Sequence, residues 1–125
     1  MPIVRLLSIE FHAISDAIYF AMIILLAIVL DYSGQALAGA YCGVLAGSGI
    51  ALYLISGAPL GFFPLLPLRW HSLIEYAAAP LTMVLPPLLF ADSLLASWAL
   101  PILGAVNLVV NALSDYPVEA ELASA

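Results

Sequence analysis

Apolar residues in this chain follow one another in long unbroken runs, with neither the alternation of a half-buried strand nor the one-sided stripe of a soluble helix. Polar residues gather at the breaks. The first run is free of polar groups from Ala17 to Leu30 and ends at Asp31-Tyr32-Ser33-Gly34-Gln35, whose Asp, Ser and Gly are turn formers. A helix crosses a hydrocarbon layer of roughly 30 Å with about 20 such residues. On that basis the pattern predicts spans over about residues 9–30, 35–55, 71–89 and 93–113. Between the second and third, residues 57–69 are apolar but broken by Gly57, Pro59, Gly61, Pro64 and Pro67, which exclude a continuous helix. That segment reads as an interfacial linker, with Phe62, Phe63 and Trp70 at headgroup depth. Pro80 and the pair Pro86-Pro87 predict a third span kinked near its middle and irregular at its end.

The expected fold is therefore an all-α membrane protein, a single membrane domain of four transmembrane helices. They are arranged as two tandem parallel helical hairpins, residues 1–56 and 70–114, followed by a polar tail, 115–125. Composition agrees: 66% hydrophobic residues, 8% charged residues and a mean hydropathy of +1.19 exclude an ordinary soluble domain. The net charge of -6 comes from acids at run ends and in the tail, and Arg5 and Arg69 are the only Lys or Arg residues. Such a chain has no basic patch for nucleic acid. Cys42 stands alone, so no internal disulfide is expected. A cleaved leader is not expected either, because Glu10, His12 and Asp16 interrupt the approach to the first run. Four spans put Arg5 and Arg69 on one side, which the positive-inside tendency makes cytoplasmic, together with both termini.

The chain repeats itself. Laying residues 11–20 over residues 70–79 aligns aromatic with aromatic, His12 with His71 and Asp16 with Glu75, at an offset of 59. At an offset of 58, Leu37 meets Leu95, Ser56 meets Ser114 and Pro59 meets Pro117. Two hairpins of one orientation form a parallel repeat about an axis along the membrane normal, so corresponding residues share a depth. The order of features resembles the SPW-repeat group of small bacterial membrane proteins, although the Ser-Pro-Trp triplet itself is absent. That order is a histidine and acid opening a span, the proline-rich "APLTMVLPPLLF", a tryptophan in the next span and a closing "NALSDYP". The resemblance implies a bacterial inner-membrane location and a paired-hairpin fold, and carries no catalytic residue with it.

His12 and His71 fall in the first turns of their spans, where an imidazole is expected to meet water or headgroups at little cost. Asp16 and Glu75 lie one turn deeper. The plainest reading has each histidine bonded to the acid one turn on, or each acid offsetting a nearby arginine. A sharper one makes His12 and His71 axial ligands of a haem, ligands of a chlorophyll-type pigment, or half of a metal site completed by the carboxylates. No cofactor and no metal is assigned from the sequence. Gly39, Gly43 and Gly47 form a small-residue stripe expected to face protein. Ser48, Thr82, Asn107 and Asn111 are the few polar groups a carrier would have near its midplane. No nucleophile-base order, phosphate loop or HExxH string is present, so no catalytic residue is assigned. The expected role is a non-catalytic accessory or assembly subunit set among larger integral membrane proteins and lipid.

Overall fold

The computed structural model describes residues 6–57 and 61–115. Arg5, Pro59 and Pro117 lie outside the described residues, as does the tail beyond Asp115. Five helices account for the four expected spans: α1 (Ile9–Tyr32), α2 (Ala36–Leu54), α3 (Leu68–Met83), α4 (Leu85–Leu89) and α5 (Leu94–Leu113). Four stretches are long and apolar enough to cross a membrane: α1, α2, α5, and α3 with α4 as one span, Leu68–Leu89.

Each helix end has a local cause. Ser8 caps α1, its hydroxyl accepting from the Phe11 N–H at 3.1 Å, and Ser93 caps α5 by accepting from the Ala96 N–H at the same distance. After Tyr32 the chain turns through Gly34, whose φ of 81° suits a residue without a β-carbon. The third span breaks at Val84, because Pro86 and Pro87 bring no N–H groups to continue the ladder. It also starts earlier than the apolar run suggests, at Leu68, since Pro67 is well placed to open a helix but not to extend one backwards.

α1 packs along α2, α3 along α5, and α1 along α5, whereas α2 and α3 scarcely touch. Ile23, Leu26 and Leu30 of α1, Ala38, Cys42 and Ala46 of α2, and Ala96 and Leu100 of α5 form the main apolar core. Leu25, Leu37, Leu88, Leu94 and Trp98 are exposed, as side chains facing lipid would be. Within the bundle only one residue of the small-residue stripe is closely packed. A β-carbon on Gly39 would stand 3.0 Å from the Ala27 carbonyl oxygen, but Gly43 and Gly47 are exposed with nothing within 4 Å. The residues of α2 that turn inward are Ala38, Gly39, Cys42, Ala46 and Tyr53. The packed row is Ala38, Cys42 and Ala46, and Gly43 and Gly47 each follow it by one position, about 100° further round the helix, which turns them off the packed face.

Both ends of the described chain meet at one end of the bundle. The N–H groups of Leu6 and Leu7 bond the Leu113 carbonyl, and that of Asp115 bonds the Leu7 carbonyl. The linker makes the matching set: Leu65 and Leu66 bond the Ile55 carbonyl, and Gly57 bonds the Leu66 carbonyl. These positions correspond at the same offsets of 59 and 58 that align the two halves of the sequence.

Candidate functional site

Four ionisable side chains from two helices converge just inside that end of the bundle. His12 and Asp16 stand one turn apart on α1, and His71 and Glu75 one turn apart on α3. His12 Nε2 lies 3.0 Å from Asp16 Oδ2 and 3.3 Å from Glu75 Oε2. His71 Nε2 lies 3.1 Å from Glu75 Oε1 and 3.9 Å from Asp16 Oδ2. One ligand atom from each of the four lies within 4.8 Å of every other. The side chains of His12, His71 and Asp16 are 1% exposed and that of Glu75 9%, so the group is held inside the protein. With a rise of about 1.5 Å per residue, Asp16 lies roughly 10 Å along α1.

Helix α5 fixes the group from a third side. Asn107 donates from Nδ2 to Asp16 Oδ1 at 3.2 Å, leaving Oδ2 to the cluster. Ser114 donates its hydroxyl proton to the Val110 carbonyl at 2.5 Å and therefore presents only lone pairs to His12 Nδ1, 2.8 Å away. His12 Nδ1 must carry a proton. Its Nε2 then holds either a second proton or a lone pair directed at two carboxylates. A bare lone pair beside two ionised carboxylates at Asp16 Oδ2 and Glu75 Oε2 would be repulsive, so the geometry calls for a proton or a cation at the centre of the group. No lysine or arginine among the described residues joins it. Two protons, one on each imidazole, or one divalent cation neutralise the two carboxylates.

The spacing suits the cation. Ligand bonds of about 2.0–2.1 Å in a tetrahedron put neighbouring ligand atoms about 3.3–3.4 Å apart; His12 Nε2 and Asp16 Oδ2 at 3.0 Å, and either Glu75 oxygen with its histidine at 3.1 or 3.3 Å, come within a few tenths of an ångström of that, while His71 Nε2 and Asp16 Oδ2 at 3.9 Å stand wider. A second-sphere acceptor on the far ring nitrogen, as Ser114 is for His12, is the usual device for turning Nε2 toward a metal.

Beside the cluster, the gap between α2 and α3 is a cleft of about 570 Å³ with His71 and Glu75 in its wall. The Tyr41 hydroxyl bonds the Leu81 carbonyl, tying α2 to α3. The linker from Ser56 to Leu66 joins the same two helices by the chain itself. On the other side of the molecule, the space between α1 and α5 is only about 150 Å³.

The structure unites the residues that the sequence pairs. Each histidine does contact the acid one turn on, but each also faces the other helix's acid. The rings are buried against protein rather than set at the surface, which corrects the expectation of cheap interfacial placement. Among the described residues the acids face histidines, and Arg5 lies outside them. Asn107 and Ser114 belong to the site as well. Only the offset of Ser114 from Ser56 and the polarity of Asn107 within an apolar run marked them in the sequence. Compared with known proteins, the chain matches no family model, no curated protein and no solved structure.

Proposed function

We propose that this chain is a membrane protein that holds one divalent transition-metal ion, of the zinc type, between His12, Asp16, His71 and Glu75. The observation that carries the reading is the convergence of two imidazole nitrogens and two carboxylates, one ligand atom of each within 4.8 Å of every other, in a buried site. A divalent ion makes that site electrically neutral. An uncompensated charge costs roughly 2.5–3.5 kcal/mol at the centre of a span, and less toward the end where this site lies. Mixed imidazole and carboxylate donors with no thiolate suit Zn²⁺ and its first-row neighbours. The haem and pigment alternatives fit less well, because a macrocycle ligated by His12 and His71 would need the space that Asp16 and Glu75 fill. Cobalt substitution tests the reading. One equivalent of Co²⁺ per chain should give the intense visible bands of a four-coordinate site, lost in His71→Ala. A colourless protein with Co²⁺ in excess, or a Soret band in the purified chain, overturns it.

A second reading keeps the chain as a non-catalytic accessory subunit of a larger complex in a bacterial inner membrane, both termini cytoplasmic. Its support is the exposed pair Gly43 and Gly47, which leave one face of α2 open to close approach by another helix. Native-detergent extraction that returns the chain alone and monomeric overturns that reading.

A further inference from the structure

The two halves of the molecule differ at one place. The α1/α5 interface is packed, while its counterpart under the repeat, between α3 and α2, stands open as the 570 Å³ cleft. The cleft is mostly apolar, with Phe20, Val44, Leu45 and Ile74 among its walls. Polar groups in its lining include Ser48, Thr82 and Asn107, together with His71 and Glu75 of the cluster. The histidines differ in the same sense: Ser114 bonds His12 Nδ1, but His71 Nδ1 is buried without a hydrogen-bond partner. Ser56, at the position matching Ser114, donates instead to the Tyr53 carbonyl at 3.0 Å.

These features define a ligand. A volume of this size lies within the usual range for a small-molecule site, about 300–1,000 Å³. The walls call for a hydrocarbon chain. Among the described residues the lining contains no lysine or arginine, and Glu75 is part of it, so an anionic head is disfavoured. Tyr19, Phe20 and Tyr41 bring aromatic rings into the lining, where a flat ring can pack. We propose that the α2/α3 cleft binds a quinone-class lipid, an uncharged oxygen-bearing ring on a long apolar chain, with the ring oxygen at the His71–Glu75 edge of the cluster. The placement deepens the metal-site reading and rests on it for what the ring oxygen meets, while the cleft itself exists whether or not an ion is bound.

The test uses the full chain in lipid nanodiscs and a photoreactive azido-benzoquinone carrying a decyl chain. Covalent labelling should map to α2 and α3 and be competed by decyl-benzoquinone but not by dodecanol. Ser48→Trp and Val44→Trp, which fill the cleft from α2, a helix that carries none of the four clustered residues, should each lower labelling at least tenfold while leaving the Co²⁺ bands and the melting temperature in place. Decyl-benzoquinone should also shift the Co²⁺ bands of the parent chain. Labelling spread over the lipid-facing surface, equal competition by dodecanol, or labelling unchanged in both variants overturns the proposal. Unshifted bands overturn the placement of the ring. Failure to bind Co²⁺ alone defeats the metal reading, and the labelling pattern then still decides the cleft.

Discussion

At the scale of single residues, charge balance governs the site. Glu75→Gln keeps the shape of the side chain but leaves one carboxylate for a divalent ion, so Co²⁺ affinity should fall at least a hundredfold in an equilibrium titration. Asn107→Ala and Ser114→Ala act one shell out, the first releasing Asp16 Oδ1 and the second the proton on His12 Nδ1. Each should weaken the ion about 10- to 100-fold, with the four-coordinate bands retained at saturation. A loss no greater than twofold in both would show that α5 does not orient the ligands. The pairing of His12 with Asp16 and of His71 with Glu75 was legible, because a spacing of four places two side chains on one helical face. Their union across α1 and α3 was legible only through the repeat. The burial of both rings was not, since it depends on Tyr53 and Leu68, which pack near this end of the bundle for reasons no local pattern displays.

Among the elements, glycine separates real close approaches from apparent ones. A β-carbon on Gly104 would lie 2.7 Å from Thr82 Oγ1 and 2.8 Å from Met83 Cγ, so α3 and α5 meet at this point and nothing larger fits without a shift. Gly104→Val is expected to destabilise the fold by about 1–3 kcal/mol through overpacking. Gly43→Leu, on an open face of α2, should change the stability of the isolated chain by no more than about 0.5 kcal/mol. Thermal denaturation in one detergent checks both, and equal losses would mean that the two glycines share an environment. Sequence pattern located the spans to within a few residues because length and hydropathy are set by the bilayer. The packed face of α2 was harder to find, because Gly, Ala and Cys serve equally well toward lipid and toward a neighbouring helix. Only the three-dimensional position of α1 distinguishes Gly39 from Gly43.

For the whole molecule, the cluster is a bond between hairpins. α1 and α2 pack as one pair and α3 and α5 as another, and the pairs meet along α1 and α5 while α2 and α3 stand apart. His12 and Asp16 belong to the first pair, His71 and Glu75 to the second, so an ion held by all four would tie the pairs together at the end where Leu6 and Leu7 already bond Leu113. A ligand that binds only the folded state stabilises it by about 2.7 kcal/mol at a concentration one hundred times its Kd. Zn²⁺ at that level should therefore raise the melting temperature of the full chain by several degrees, by the usual scaling for a domain of this size. Chelation should reverse the rise. In Glu75→Gln the same Zn²⁺ concentration should leave the melting temperature where it was. Reporter fusions should place both termini on one side of the membrane, because the segments beside them are hydrogen-bonded to each other at one end of the bundle. If Zn²⁺ stabilises Glu75→Gln as much as the parent chain, the ion is bound elsewhere and the two helix pairs are held together without it.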